Sequence, residues 1–188
     1  MCSICGIVNF KNKERVSASV AKSMGATMKH RGPDETDLFC SENVVLQHNR
    51  LSVMDVENGH QPMTLRYEGK EYIIAYNGEI YNTEELKTEL LNYGIKPSTR
   101  CDTEVVLWSY IVFGEDCVEK LNGIFAFAVY DVSENKVFAA RDRFGVKPFF
   151  YTISDGTFIF ASEMKALLKH PGVAPEIDET GLWQLLFL

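Results

Sequence analysis

The alternation of apolar and polar positions predicts a chain rich in short β-strands. The first apolar run, residues 4–10, ends at Lys11 and is typical of a buried strand that begins almost at the first residue. Further strands are predicted near 36–40, 43–49, 71–76, 124–131, 136–141, 149–154 and 157–161. Short polar, glycine or proline connections join the last four, which are expected to form an antiparallel meander.

Helical spacing of apolar residues interrupts these strands. Residues 17–29 place Val20, Met24 and Met28 on one helical face, and the turn-forming segment 30–34 follows. A second helix is predicted to start at Asn82 as its cap and to end at Gly94. A third is predicted over 103–113, with Asp102 as its cap. Two more are predicted at 163–169 and 178–188. Strands outnumber helices and come in blocks, which favours a layered α+β domain of antiparallel sheets covered by helices.

Composition and charge narrow the classes of partner. The 188 residues are 46% hydrophobic and 24% charged, which suits one domain with a sizeable core. A net charge of −7 disfavours nucleic acid as a partner. No apolar run approaches the roughly 18 residues of a membrane helix, and no secretory leader is evident. We therefore expect a cytoplasmic chain without a membrane partner, and five scattered cysteines agree with reduced thiols.

Cys2 is the residue with the most direct chemical meaning. If Met1 is removed, Cys2 carries a thiol and a free α-amine, which together form a nucleophile and its base. A cysteine at this position also arises by chance. Cys2 and Cys5 form a C-x-x-C, but the other cysteines are isolated and no histidine pair accompanies them, which disfavours a metal site. Because redox pairs normally open a helix, Cys5 is expected to be a small core residue of a strand.

Three further places carry candidate chemistry, and each has an ordinary alternative. Asn77 and Gly78 predict a sharp turn whose N–H groups and amide form an oxyanion hole, or only a turn before a capped helix. Arg50 can hold a carboxylate in a bidentate pair or bridge the surface. Asp102 can receive an ammonium group or only cap its helix. The sequence contains no phosphate-binding loop and no serine-hydrolase elbow.

Eight segments stand in an order that one family shares. They are MCSICGI (1–7), KHRGPDE (29–35), HNRLSVMD (48–55), YNGEIYN (76–82), CDTEVVL (101–107), NGIFAFAVYD (122–131), RDRFGVKPFFY (141–151) and FASEMKAL (160–167). Together they resemble the class II glutamine amidotransferase domain, an amino-terminal-nucleophile hydrolase. More narrowly, they resemble the glutaminase domain of glutamine-hydrolysing asparagine synthetases.

The resemblance implies a four-layer αββα sandwich of antiparallel sheets over residues 1–188. It implies hydrolysis of L-glutamine to L-glutamate and ammonia through a Cys2 thioester, with the α-amine of Cys2 as base. By the same resemblance, Asn77 and Gly78 form the oxyanion hole, Arg50 pairs with the substrate carboxylate, Glu79 and Asp102 receive its ammonium group, and Leu51, Ser52, Val53 and Met54 line the pocket.

The resemblance also implies features outside this chain. Residues 178–188 stop within an apolar helical pattern, as expected for the truncated start of a link to an absent C-terminal synthetase domain. ATP and magnesium belong to that domain, which forms asparagine from aspartate, and no cofactor is expected here. The implied partners are L-glutamine and the synthetase domain, and a homodimer is an option. A catalytically silent regulatory or partner-binding module, or an amidotransferase with another acceptor, remain alternatives.

Overall fold

The computed structural model describes residues 1–11, 15–53 and 55–187, and within these it contains nine strands and six α-helices. The strands are β1 (Ser3–Asn9), β2 (Glu35–Cys40), β3 (Val44–Arg50), β4 (Met63–Tyr67), β5 (Lys70–Ile80), β6 (Gly123–Asp131), β7 (Lys136–Arg141), β8 (Phe150–Ser154) and β9 (Thr157–Ala161). The helices are α1 (Ala18–Ala26), α2 (Thr83–Leu91), α3 (Asp102–Phe113), α4 (Cys117–Lys120), α5 (Met164–Leu167) and α6 (Glu179–Phe187).

The strands form two antiparallel sheets. The first sheet has the order β2-β3-β1-β9-β8, and the second has the order β4-β5-β6-β7. The first strand of the chain is therefore the central strand of its sheet, where Cys5 pairs with Gln47 on one side and Ala161 on the other. β1, which begins directly after Cys2, is thus hydrogen-bonded to a strand on each side.

The two-residue alternation of the strands divides the core into three apolar layers. On β1, Ile4 lies between the sheets whereas Cys5 packs towards α1 and α5. On β5, Ile73 and Ala75 lie between the sheets whereas Tyr76 packs towards α2 and α3. Helices therefore cover both outer faces of two stacked sheets. The predicted four-layer αββα sandwich is confirmed.

The four strands expected to form one meander are divided between the sheets, so that prediction was wrong. β6 pairs with β7 in the second sheet, whereas β8 pairs with β9 and β9 pairs with β1 in the first. The Asp142 carboxylate organises the connection by accepting the N–H groups of Phe144, Val146 and Lys147, at 2.9–3.2 Å. This connection carries the chain from one sheet to the other.

The turn predicted at Asn77 and Gly78 was also wrong, because both residues lie inside β5 and pair with β6. A Cβ atom at position 78 would lie 2.6 Å from the Ile124 carbonyl oxygen and 2.7 Å from the Tyr76 hydroxyl. Gly78 therefore permits close approach of neighbouring groups within a strand. Similarly, α3 begins at Asp102 with Cys101 as its cap, so Asp102 lies in the first helical turn.

The final helix coincides with the pattern predicted at 178–188. None of the described residues of α6 is buried, and the side chains of Trp183 and Leu185 are 66% and 81% exposed. Across the described part of the chain, every helix is too short or too polar to traverse a bilayer. The interpretation of 178–188 as a link to another domain stays a prediction.

Candidate active site

Residues from distant parts of the chain line one cavity of about 310 Å³, where β3 and β5 end and α3 begins. Eight of the ten predicted site residues line it: Cys2, Arg50, Leu51, Val53, Asn77, Gly78, Glu79 and Asp102. Ser52 is not among the lining residues, and its N–H donates to Asp34 Oδ2 at 2.7 Å. Met54 lies outside the described residues. The sequence prediction thus names residues that the fold brings together.

The Cys2 thiol is half-buried and lies beside Leu51, the first residue of the loop that follows β3. The Leu51 N–H donates to Cys2 Sγ at 3.4 Å, and Sγ lies 3.7 Å from the Leu51 carbonyl oxygen. Arg31 Nε donates to the Cys2 carbonyl oxygen at 3.2 Å and fixes the backbone from the other side. The Cys2 nitrogen is in peptide linkage to Met1, whose Sδ accepts from Lys147 Nζ at 3.4 Å.

Asn77 offers a buried hydrogen-bond donor to this cavity. The residue is 2% exposed, and its Nδ2 finds no hydrogen-bond partner within residues 1–11, 15–53 and 55–187. An unsatisfied buried donor costs roughly 1–3 kcal/mol, so natural proteins seldom retain one without a reason. Because Asn77 lines the same cavity as Cys2, a ligand oxygen is the partner that fits this donor.

Asp102 places a buried carboxylate on the cavity wall, where it is 5% exposed. Its Oδ2 accepts the Tyr76 hydroxyl at 2.6 Å and the Ile80 N–H at 3.1 Å. Burial raises the pKa of Asp102, and these two hydrogen bonds oppose that rise. The arrangement gives the cavity an acidic wall that suits a cationic group.

Arg50 forms a basic wall of the same cavity, with 4% of the residue exposed. Its Nη1 donates to Glu35 Oε2 at 3.1 Å and to the Val56 carbonyl oxygen at 3.0 Å, and Nη2 donates to the Asp55 carbonyl oxygen at 2.8 Å. A Cβ atom at Gly59 would lie 2.4 Å from Nη2, so only glycine fits beside the guanidinium. Arg50 therefore organises the segment 55–59 while it lines the cavity.

Glu35 links Arg50 to a histidine at the surface. Its Oε1 lies 2.5 Å from His60 Nδ1, and its Oε2 accepts from Arg50. Partial burial favours the neutral acid, but the hydrogen bonds from His60 and Arg50 hold the pKa of Glu35 below its ordinary value. The carboxylate thus stays ionised beside the guanidinium.

Some lining residues carried no recognisable sequence signal. Lys147, which is 7% exposed, comes from the segment 141–151, to which the resemblance assigned no site residue. Gln61 and Thr103 also line the cavity, and Gln61 Nε2 donates to Thr103 Oγ1 at 3.2 Å. Tyr76 also lines the cavity, and it lies on the same face as Gly78 because both belong to β5, which extends beyond the predicted strand.

The second cysteine of the C-x-x-C is a core residue, as expected. Cys5 is 1% exposed among the side chains that pack against α1, and burial raises its pKa to about 12. Three positions separate it from Cys2 in extended chain, so the two side chains point to opposite faces. Within the described residues, no group of three or more His, Cys, Asp or Glu side chains is placed to hold a metal ion.

Comparison with known proteins identifies relatives along the whole chain. A family model described as a glutamine amidotransferase domain matches residues 1–188. Glutamine-hydrolyzing asparagine synthetase 3 of Bacillus subtilis (strain 168) is 48% identical over 188 residues, which are 100% of this chain and 31% of that protein. Glutamine-hydrolyzing asparagine synthetase B of Escherichia coli (strain K12) is 38% identical over 171 residues, or 89% of this chain and 30% of that protein. The chain thus spans about a third of these curated relatives.

Solved structures share the architecture at lower sequence identity. Glutamine phosphoribosylpyrophosphate amidotransferase from B. subtilis, complexed with ADP and GMP, superposes with a TM-score of 0.72 at 19% identity. The match covers 88% of this chain and 43% of that chain. At this identity the likeness shows the fold alone, and it agrees with the stacked antiparallel sheets described above.

Proposed function

Because the chain belongs to the glutamine amidotransferase domain family, we propose that it hydrolyses L-glutamine to L-glutamate and ammonia with Cys2 as the nucleophile. One observation carries the proposal. The buried Asn77 Nδ2, unpartnered within the described residues, lines the same cavity as the Cys2 thiol. A fixed amide donor beside a nucleophile is what stabilises the oxyanion of a tetrahedral acyl intermediate.

The proposed reaction proceeds in two acyl-transfer steps. After removal of Met1, the α-amine of Cys2 takes the thiol proton, and the sulfur attacks the side-chain amide carbon of glutamine. Asn77 and the Gly78 N–H stabilise the oxyanion. The protonated α-amine then protonates the amide nitrogen of the intermediate, the C–N bond breaks, ammonia leaves, and a γ-glutamyl thioester remains on Cys2. Water, deprotonated by the same amine, attacks the thioester and releases glutamate and the thiol.

The two charged walls of the cavity suit the zwitterionic end of glutamine. Asp102, with Glu79 beside it, receives the α-ammonium group, and Arg50 receives the α-carboxylate. Two opposite charges fix the substrate in position and in orientation, which places its amide carbon at the thiol. Leu51 and Val53 line the same cavity.

We extend the proposal to the use of the ammonia. The relatives that this chain matches are named asparagine synthetases and are about three times its length. In such a longer protein, an ATP- and magnesium-dependent domain would combine the ammonia with aspartate, whereas the domain described here needs no cofactor. An enzyme that amidates another acceptor would use the same glutaminase chemistry.

The test uses protein whose intact mass shows that Met1 is absent. We expect glutamate release from L-glutamine, one adduct on Cys2 after treatment with 6-diazo-5-oxo-L-norleucine, and no turnover by Cys2→Ala. Asn77→Ala should lower kcat by roughly 10²–10³. Asn92→Ala is the matched control, because Asn92 is an exposed residue at the end of α2.

Two results would contradict the proposal. Met1-free protein that binds glutamine but releases no glutamate would be a catalytically silent module of the same fold. Hydrolysis by protein shown to retain Met1 would remove the α-amine from the mechanism, because the Cys2 nitrogen is then an amide.

A further inference from the structure

Tyr76 is a buried residue that the mechanism above does not use. It is 2% exposed, and its hydroxyl donates to Asp102 Oδ2 at 2.6 Å. The same oxygen accepts the Ile80 N–H at 3.1 Å. Two protein donors therefore occupy Oδ2. Oδ1 is contacted by the weak thiol donor of Cys101, at 3.9 Å, and keeps capacity for a ligand.

The backbone of Tyr76 is held by hydrogen bonds on both sides of its peptide groups, and its ring fits against Gly78. The Tyr76 N–H donates to Gln61 Oε1 at 2.7 Å, and the carbonyl oxygen accepts from His48 Nε2 at 3.1 Å. A Cβ atom at Gly78 would lie 2.7 Å from the Tyr76 hydroxyl, so the absence of a side chain at position 78 leaves room for the phenol. Backbone and ring are thus fixed before any substrate enters.

We propose that Tyr76 is a positioning residue for ammonium recognition, which orients the Asp102 carboxylate without touching the substrate. The inference rests on the proposed glutaminase function, because the ammonium group is that of L-glutamine. A carboxylate that accepts two directed hydrogen bonds on one oxygen cannot rotate freely, and it presents its other oxygen in one direction. Tyr76 therefore determines substrate binding through Asp102.

The ionisation of the pair agrees with this geometry. Burial, followed by the charge of Asp102, raises the pKa of Tyr76 well above its ordinary value, so the phenol keeps its proton and remains a donor. Burial raises the pKa of Asp102, and the Tyr76 hydrogen bond opposes that rise. Titratable or charged groups around the pair include Glu79 from β5, His48 from β3 and Cys101 before α3, together with Cys2, Arg50 and Lys147 on the cavity wall. Loss of the hydroxyl therefore moves the pKa of Asp102 upwards.

The experiment compares two substrates with and without the Tyr76 hydroxyl, in Met1-free protein. Tyr76→Phe should raise KM for L-glutamine about tenfold, which is the lower end of the contribution of a hydrogen bond to a charged group. It should leave KM unchanged for 4-carbamoylbutanoate, which is glutamine without its α-amine. At acid pH, kcat/KM for L-glutamine should fall further in Tyr76→Phe than in the unmutated protein, because protonation of Asp102 adds to protonation of the Cys2 α-amine.

Tyr72→Phe is the matched control. Tyr72 lies four residues earlier on the same strand and packs against the Tyr110 ring at 6.4 Å between centroids. It should leave the KM of both substrates unchanged. If Tyr76→Phe weakens both substrates equally, its role is structural and the inference is overturned.

A second variant keeps the inference testable if Tyr76→Phe fails to fold. A buried carboxylate without its hydrogen-bond donor lowers the stability of the folded protein. Adding Asp102→Asn to Tyr76→Phe removes the buried charge and should therefore restore folding. If Tyr76 acts only through Asp102, the double variant and Asp102→Asn alone should have KM values for L-glutamine within about twofold. A larger difference overturns the inference. If the unmutated protein hydrolyses no glutamine, the proposed function fails, and the inference fails with it.

Discussion

The two charged walls of the cavity are built in different ways. Asp102 lies in the first turn of α3, and its partners Tyr76 and Ile80 belong to β5, so regular secondary structure holds this acidic wall. Arg50 ends β3, but two of its acceptors are backbone carbonyl oxygens of the segment 55–59. The acidic wall is thus fixed by the core, and the basic wall is tied to a loop.

This difference assigns different tasks to the two walls. Groups on strands and helices keep their geometry because ladder hydrogen bonds and buried contacts hold them, whereas loops open locally at lower free energy. Val53, which follows Arg50 in the chain and also lines the cavity, is 76% exposed. We therefore expect the acidic wall to be preorganised for the ammonium group, and the basic wall to tighten with the loop when the carboxylate binds.

The largest effect on KM is expected at the acidic wall. Asp102→Asn should raise KM for L-glutamine by roughly 10²–10³, because truncating one partner of a buried charge pair typically costs 2–5 kcal/mol. Hydrogen exchange of the segment 55–59 should not change, since that segment is not bonded to Asp102. Faster exchange in 55–59 would show that the two walls are coupled and would break the comparison.

Protonation of His48, which bonds Tyr76 next to the acidic wall, should make the fold sensitive to acid. This residue is 1% exposed, it bonds the Tyr76 carbonyl oxygen, and burial lowers its pKa from 6.5 to about 4. The unfolded chain binds a proton more readily than the native state between these values, so stability falls as pH decreases through that window. The loss should reach about 3 kcal/mol at pH 4, relative to pH 7.

Urea unfolding at pH 7 and pH 4 measures this loss, and His48→Gln should reduce it because glutamine does not titrate. His170→Gln is the control, since burial also lowers the pKa of His170 but the residue is part-exposed at the surface. An equal effect of both variants would show that the acid sensitivity does not arise beneath the cavity.

Local sequence patterns predicted the layers of the fold but not all of its pairings. The apolar runs at residues 4–10 and 71–76 place apolar side chains on both faces of central strands, and that is a local property. Which sheet β8 and β9 join depends on the pairing of β9 with β1, about 150 residues away in sequence, and no local pattern contains that pairing. The predicted meander failed for that reason.

Within the site, the resemblance indicated which residues line the cavity, and the structure showed which contacts hold them in place. An Asn-Gly pair has a strong local preference for turns, but close packing against Ile124 and Tyr76 keeps it in β5. The bond from Tyr76 to Asp102 joins residues 26 positions apart, and the bond from His48 to Tyr76 joins the two sheets. Such pairs follow from the tertiary fold and carry no periodic signal.

A smaller effect is expected at the basic wall. Arg50→Lys keeps the charge but loses the planar fork that donates to several acceptors, so KM for L-glutamine should rise about 10- to 30-fold, equivalent to about 1.4–2 kcal/mol. Unlike Asp102→Asn, this variant should accelerate hydrogen exchange in the segment 55–59. Arg66→Lys is the control, because Arg66 forms an exposed pair with Glu71. Unchanged exchange in 55–59 would mean that the loop does not depend on Arg50.

The smallest effect, and the sharpest test of the basic wall, is expected from Glu35→Gln. Glu35 holds Arg50 with an ionised carboxylate whose pKa lies below its ordinary value, so the neutral amide should loosen the guanidinium and raise KM about three- to fivefold, as expected for about 1 kcal/mol. Glu71→Gln, in the surface pair with Arg66, is the matched control and should leave KM unchanged.

A decrease in KM would also be informative, because Glu35 and the substrate carboxylate would share the guanidinium of Arg50. A lower KM in Glu35→Gln would show that Glu35 competes with glutamine for Arg50, and the basic wall would then be closed in the empty site and opened by substrate.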